Sequence, residues 1–206
     1  DNAQEISAQL DRNGLRLFNI VGKQVKPGEE SFAIWTHPKD THGQLEFAVI
    51  GKYTIDPRLQ PAWSHNFWVE QHPLGLERAS HITAVVRDLP SAKRLYCDIL
   101  AGKLLHEEET ADRKRSAFVA VGEDTVVELA QPLSPASPEG REMEENGEGI
   151  YSVTFAVRDL ARTNAFLKSK QLRPEPDGTD SIVLSKDQAF GMVMGFTQRK
   201  LPNDPR

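Results

Sequence analysis

The stretch HITAVVRDL at residues 81–89 decides the fold, because the chain repeats it about 70 residues later as SVTFAVRDL at residues 152–160. Both copies are rich in the β-branched residues that favour strands. Asp88 and Asp159 close the two copies, and an Asp carboxylate can accept hydrogen bonds from the free amides of a first helical turn. Each copy therefore predicts a strand that leads directly into a helix.

Further strands follow each predicted helix. In the first copy, residues 116–121 and 125–129 are predicted to be two strands joined by a turn at Gly122. In the second copy, residues 180–184 and 191–196 are predicted to be two strands joined in the same way by a turn of their own. Repetition at a fixed period indicates one supersecondary unit used more than once. The chain therefore predicts two βαβββ modules, at residues 77–133 and 147–200.

A third, incomplete copy is predicted at the start of the chain. Apolar residues at helical spacing precede Gly14, and residues 31–35 and 44–47 have strand composition. Asp1 already stands at the helix-cap position, so the opening strand of this copy is missing. Residues 1–52 are therefore predicted to form a truncated module, with a helix and three strands, of a first domain.

The segments between and after the modules carry their own predictions. Residues 53–76 contain Trp63, Phe67 and Trp68, which is too aromatic for a flexible linker, and are predicted to pack as a connector. Residues 134–149, rich in Pro, Glu and Gly, are predicted to form an exposed loop. The tail at 201–206 is predicted to fray.

Composition excludes several classes of function. The 206 residues carry a net charge of −5, which disfavours nucleic acid as a partner because phosphate binding needs a surplus of Lys and Arg. No apolar run approaches the roughly 20 residues that span a bilayer. The single cysteine, Cys97, excludes an internal disulfide and favours a cytoplasmic location. The charged run at 107–115 is predicted to be a solvated hairpin.

Paired βαβββ modules with a His at the start of one strand and a Glu near the end of another resemble the vicinal-oxygen-chelate superfamily of glyoxalases, bleomycin-resistance proteins and extradiol dioxygenases. The resemblance covers nearly the whole chain and implies an α+β fold in which paired modules curl their sheets into a cup around a divalent metal. Locally, HPKDTHGQLEF at residues 37–47 resembles the closing hairpin of methylmalonyl-CoA epimerases and similar two-module enzymes, and is one residue shorter.

The resemblance also implies positions for metal ligands. His81 and Glu128 stand at the first-strand and last-strand positions of one module, and Glu46 stands at the last-strand position of the truncated module. An imidazole and a carboxylate suit Zn, Mn, Fe, Co or Ni. The partner module has Ser152 and Gly195 at these positions, so either a third ligand comes from elsewhere or the metal is absent.

Three residues are candidates for substrate binding. Ser152 replaces a ligand, and Met194 lies on a strand where it lines either the core or the cavity. Tyr151 precedes Ser152, so strand alternation places it on the opposite sheet face unless a bulge intervenes.

The function implied by the resemblance is that of a metal-dependent lyase, isomerase or epimerase acting on a small oxygenated molecule, with Glu128 also catalytic. A metal-free small-molecule-binding or resistance protein is the first alternative. An extradiol dioxygenase is disfavoured, since it needs two His and one carboxylate on iron and Ser152 replaces the second His. A further alternative makes the complete pair a dimerising domain, and the open module edges predict a homodimer or pairing with the missing N-terminal segment.

Overall fold

The computed structural model describes residues 3–26, 29, 33–48, 66–111, 113–122 and 125–206. Within them the chain forms a three-stranded sheet and an eight-stranded sheet. The predicted α+β class with a curled sheet is confirmed. Trp63 and most of the predicted connector lie outside the described residues.

The N-terminal unit is a helix packed against the smaller sheet. Its elements are α1 (Ala3–Arg12), β1 (Leu17–Phe18), β2 (Ala33–Thr36) and β3 (Glu46–Ala48). Both strand pairs are antiparallel, and Leu10, Leu17 and Ile34 form the centre of a small core. This unit contacts the rest of the chain at several points. The Gln9 side-chain amide donates to the carbonyl of Ile99 at 2.5 Å, and the His42 ring lies within hydrogen-bond distance of Glu148 and Ser91.

The first complete module has the predicted order of strand, helix and three strands. Asp88 caps the helix, since its carboxylate accepts from the Ser91 amide at 3.2 Å. The elements are β4 (Leu76–Val85), α2 (Leu89–Lys93) continuing into a π-helical turn (Arg94–Ile99), β5 (Lys103–Thr110), β6 (Lys114–Val121) and β7 (Thr125–Pro132).

The segment between the modules is partly helical, so the prediction of an exposed loop at 134–149 was wrong. Helix α3 (Pro138–Glu145) begins at Ser137, whose hydroxyl accepts from the Gly140 amide at 3.0 Å. Pro138 suits a first turn, where its missing N–H is not needed. Glu139 and Met143 are buried, which the polar composition of the segment did not indicate.

The second module repeats the first. Asp159 caps its helix, with its carboxylate accepting from the Arg162 amide at 2.9 Å. The elements are β8 (Gly149–Val157), α4 (Leu160–Ser169), β9 (Glu175–Pro176), β10 (Ser181–Leu184) and β11 (Val193–Thr197).

The two modules join through their first strands. The order in the large sheet is β5-β6-β7-β4-β8-β11-β10-β9, with β4 and β8 antiparallel. Within each module the first and last strands are parallel, β4 with β7 and β8 with β11. The helices cover one face of this sheet with two separate apolar clusters, centred on Leu95 and Leu129 and on Leu167 and Phe196. The opposite face is left to form the cup.

The described part of the predicted connector is tied to the second module. A π-helical turn, Phe67–Gln71, buries Val69 and leaves the rings of Phe67 and Trp68 about half exposed. The Arg162 guanidinium on α4 donates to the carbonyls of three consecutive residues of this segment, at 3.0 to 3.1 Å. Among the helices that the structure describes, none is both long enough and apolar enough to cross a membrane.

The C-terminal tail is packed, so the prediction that it frays was wrong. Leu201 is 6% exposed and joins a cluster with Leu105, Phe118 and Val126. Further along, the Arg206 guanidinium donates to the carbonyl of Ser80 at 2.8 Å. The tail therefore lies against the cup face of β4, β5 and β6 and closes part of it.

We expect Leu201→Ala to lower the free energy of unfolding by about 2–3 kcal/mol, because it removes a buried side chain from an apolar cluster. Urea unfolding followed by circular dichroism measures the change. Leu133→Ala is the matched control, since Leu133 is 38% exposed and should cost under about 1 kcal/mol. Equal, small effects of both substitutions would mean that the tail does not pack in solution.

Candidate functional site

A cavity of about 660 Å³ occupies the face of the large sheet that the helices leave uncovered. Both modules line it, with the central strands β4 and β8 at its floor and the hairpin of β9 and β10 at its rim. This volume is in the range of cavities that hold drug-sized molecules.

Two rows of paired residues cross the floor of the cavity. In one row Thr83 on β4 is paired with Glu128 on β7 and with Ser152 on β8. In the other, His81 is paired with Thr154, which is paired in turn with Gly195 on β11. The four positions at which the resemblance implies metal ligands therefore do come together, two from each module.

A β-bulge in each first strand widens the set of floor residues. The register shifts by one residue at Ser80 on β4 and at Tyr151 on β8. A bulge turns two consecutive residues toward the same face of a sheet. Ser80 and His81 both line the cavity, and so do Tyr151 and Ser152. Tyr151 can share a sheet face with Ser152 only if a bulge intervenes, and β8 contains that bulge.

Glu128 is a buried ionised group at the floor, with 2% of its surface exposed. One carboxylate oxygen accepts from the Thr83 hydroxyl at 2.6 Å. The other accepts from the Ser116 hydroxyl at 2.6 Å and lies 2.6 Å from Lys114 Nζ. Burial alone would raise the pKa of Glu128, but the charges of Lys114 and His81 and the hydrogen bonds outweigh it and lower the pKa to about 2.

Lys114 belongs to the cavity, so the prediction of a solvated hairpin at 107–115 was wrong at this residue. Its ammonium also lies 3.5 Å from Glu139 Oε1. Burial lowers the pKa of Lys114, but Glu128 and Glu139 more than offset this, and the pKa lies above its ordinary value. Alternation along β6 puts Lys114, Ser116 and Phe118 on one face, opposite Glu128 on β7.

The neighbouring Arg113 links the two modules above the cavity. Its guanidinium makes a bidentate contact with the fully buried Glu139, at 2.6 to 3.0 Å, and a single contact with Asp177 at 2.7 Å. Asp177 follows β9, at the cavity rim formed by the second module. The network therefore joins the start of β6 in the first module to α3 and to that rim. Sequence reasoning missed Arg113, Lys114 and Glu139. The alternating pattern of β6 was a local signal for Lys114 alone.

His81 faces the same floor. Its Nε2 lies 3.7 Å from Glu128 Oε2, too far for a hydrogen bond, while Nδ1 is 3.1 Å from the Ser80 hydroxyl. Burial is the largest effect on the ring and lowers the pKa of His81, outweighing the opposite effect of Glu128. His81 is therefore a neutral imidazole at neutral pH, with Nε2 directed at the cavity floor.

The floor residues do not fit a divalent metal. Ser152 and Gly195 stand at two of the four implied ligand positions, and Lys114 holds an oxygen of Glu128. A β-carbon at Gly195 would lie 2.6 Å from Thr154 Oγ1, so a longer ligand side chain does not fit there. Among the described residues, no group of three His, Cys, Asp or Glu side chains is placed to hold a metal, whereas catalytic zinc sites typically have three protein ligands.

Two other candidates lie away from this cavity. Glu46 is exposed on β3 of the small sheet, paired with Trp35, and does not approach His81 or Glu128. Met194 packs with the second apolar cluster on the helix side, because alternation along β11 directs Val193 and Gly195 to the cavity instead. The placement of Met194 in a substrate-binding surface was therefore wrong.

Several polar side chains at the floor are available to a ligand. Tyr151, Ser152 and Thr154 line the cavity, and none of their hydroxyls forms a hydrogen bond with another described residue. Burial, reinforced by the charge of Glu139, raises the pKa of Tyr151 to about 12. These groups are neutral at neutral pH and can donate to, or accept from, the oxygens of a bound molecule.

Comparison with protein families and solved structures identifies the same part of the chain. The model of the Glyoxalase/Bleomycin resistance protein/Dioxygenase superfamily matches residues 78–183, which run from β4 to β10. A curated relative, the uncharacterised protein YqjC of Bacillus subtilis (strain 168), is 29% identical over 87 residues. That match covers 42% of this chain and 61% of the relative, so the chain spans about three fifths of the relative's length.

Two solved structures share the fold of the large sheet. Methylmalonyl-CoA epimerase from Mycobacterium tuberculosis is 27% identical, with a TM-score of 0.55 over 59% of this chain and 87% of that one. A hypothetical protein from Bacillus halodurans C-125 is 25% identical, with a TM-score of 0.54 over 60% of this chain and 94% of that one. Both matches fit the extent of the two complete modules.

The buried carboxylate predicts acid sensitivity of stability. Its folded pKa of about 2 lies below the ordinary value of 4.5, so the stabilisation is complete above pH 4.5 and is lost as the pH falls through 2. We expect the wild type to lose about 2 kcal/mol more than Glu128→Gln between pH 5 and pH 3. Urea unfolding at each pH measures this. Glu144→Gln, on the exposed side of α3, should follow the wild type, and parallel curves for all three proteins would contradict the assignment.

Proposed function

The chain belongs to the Glyoxalase/Bleomycin resistance protein/Dioxygenase superfamily, and on that premise we propose that its cup binds a small oxygenated organic molecule without a divalent metal. The observation that carries this proposal is the contact of Lys114 Nζ with Glu128 Oε1 at 2.6 Å. Lys114 supplies a fixed positive charge beside the carboxylate that the family resemblance assigns to a metal.

The ion pair explains how Glu128 remains ionised inside the protein. An isolated buried carboxylate is costly, and in practice such a group neutralises itself unless it is paired and hydrogen-bonded. Here two hydroxyls and one ammonium contact the two oxygens of Glu128. A metal ion would have to displace Lys114 and would gain only His81 and Glu128 as ligands.

The residues we assign to ligand binding are the neutral polar groups of the floor. Tyr151 and Ser152 present their hydroxyls to the cavity, and His81 presents Nε2. None of these three atoms forms a hydrogen bond with another described residue. Because both modules contribute, a molecule in the cup would contact the two sides of the β4–β8 seam. Neutral donors and acceptors at fixed positions suit hydroxyl and carbonyl oxygens.

A metal-dependent epimerase or isomerase is the second candidate. His81 and Glu128 still converge, with 3.7 Å between Nε2 and Oε2, and a structure with 27% identity is a methylmalonyl-CoA epimerase. This candidate requires a third ligand and removal of Lys114 from Glu128. An extradiol dioxygenase would need a second imidazole, and among the described residues none lies with His81 and Glu128.

We expect the purified protein to contain far less than one equivalent of transition metal by elemental mass spectrometry, including after incubation with zinc, manganese, iron, cobalt or nickel. Thermal-shift screening should then find small-molecule ligands whose effect on the melting temperature is unchanged by a chelator. One equivalent of metal that is lost in a His81→Ala protein would overturn the proposal in favour of the metal-dependent enzyme.

A variant with a third metal-ligating side chain provides a second test of the role of Lys114. We expect Lys114→Ala combined with Ser152→His to bind zinc at least about tenfold more tightly than either single variant, because the pair frees Glu128 and adds a third ligand. Competition against a chromogenic zinc chelator measures the affinity, and circular dichroism checks folding. Equal affinity of a folded double variant and of Ser152→His alone would contradict the role given to Lys114.

A further inference from the structure

The charge of the cavity lining is strongly unbalanced. Seven of the side chains that line it are carboxylates, and three are cationic: Arg113, Lys114 and Arg199. The lining therefore carries a surplus of four negative charges around a space of about 660 Å³, and one of these, on Glu109, is paired with Arg115 outside the lining.

None of the three cations is available to an anionic ligand. Lys114 contacts Glu128 and Glu139, and Arg113 contacts Glu139 and Asp177. The third, Arg199, is paired with Glu108 at the edge of the cavity. An incoming carboxylate or phosphate would have to break one of these pairs and would meet the remaining negative charges.

Two of the carboxylates do remain available. Glu175 on β9 and Asp180 just before β10 are exposed at the rim, and neither side chain forms a hydrogen bond or ion pair with another described residue. Arg199 is close enough to feel the charge of Asp180, but its guanidinium is bonded to Glu108. The two rim carboxylates therefore give the entrance of the cup a net negative potential.

An independent feature at the floor indicates a ligand. Ser152 is 6% exposed and lines the cavity, and its hydroxyl forms no hydrogen bond with any described residue. A hydroxyl that faces a cavity and has no protein partner can donate to, or accept from, a polar atom of a bound molecule. Ser152 is paired with Thr83 in the same row as Glu128, so a ligand atom bound to its hydroxyl would lie at the floor of the cup.

We propose that the natural ligand is a cationic, hydroxyl- or carbonyl-bearing small molecule, with its amine at the Glu175 and Asp180 rim and an oxygen at Ser152. This inference rests on the proposed function of the cup and specifies the chemistry of its ligand. An anionic acyl thioester, such as the methylmalonyl-CoA bound to one epimerase of the same fold, is disfavoured by the surplus negative charge.

The test uses the full chain and three compounds built on one hydroxyphenyl scaffold: tyramine, N-acetyltyramine and 4-hydroxyphenylacetate. Four amino alcohols are added, each with its N-acetyl derivative and its carboxylate analogue. Isothermal titration calorimetry at low salt measures the dissociation constants. We expect amines to bind about tenfold more tightly than the paired amides, and carboxylates to bind weakest. The preference for amines should shrink in 0.5 M salt, since the rim is exposed.

Variants locate the contacts. We expect Glu175→Gln with Asp180→Asn to remove most of the preference for amines over amides, while Ser152→Ala weakens amines and amides alike. Glu144→Gln is the matched control, because it removes one exposed carboxylate outside the cavity. A library in which carboxylates bind more tightly than amines, or in which no amine binds, would overturn this inference. Chelator-insensitive binding of carboxylates would overturn it while leaving the metal-independent cup intact.

Discussion

The antiparallel pairing of β4 with β8 is the contact on which the rest of the large sheet depends. Each module begins with one of these strands and closes on it with a parallel last strand, so the seam brings four cavity-facing strands side by side. The helices cover only one face of the large sheet. The other face is left to the C-terminal tail, to charged side chains and to a ligand. A bulge in each first strand then turns one additional residue, Ser80 or Tyr151, into the cavity.

Two networks of charged side chains support the cavity that the strands form. The floor contains a buried carboxylate, Glu128, which is stable there only because Lys114 and two hydroxyls satisfy it. A second network, centred on Arg113, ties α3 to the rim of the other module. Buried pairs of this kind fix geometry because the loss of one partner leaves the other uncompensated. The cup is therefore a polar but rigidly supported space, which suits selective binding.

The proposed absence of a metal has a local physical basis at the floor of the cavity. Ser152 and Gly195 replace two ligands, and Thr154 leaves no room for a larger side chain at Gly195. His81 Nε2 nevertheless lies 3.7 Å from Glu128 Oε2. A positively charged Lys114 beside Glu128 provides the charge balance that a metal would otherwise supply. The lining as a whole is more acidic than basic, and this surplus of carboxylates is the basis on which we propose a cationic ligand.

The sequence by itself determined the repeat and the two capped helices, because strand periodicity and N-caps are local properties. The cupped fold and the convergence of His81, Glu128 and Ser152 were implied by the resemblance to a known family, and the pairing of the strands brings these residues together. It did not indicate that 134–149 contains a helix, that the tail packs, or that Met194 faces the helices. Nor did it indicate the partner of Glu128. Lys114 lies in a charged run whose composition is typical of a solvated hairpin. The pairing of β6 with β7 directs its side chain toward the cavity and Glu128. Such contacts join residues distant in sequence, so their energies depend on the assembled sheet.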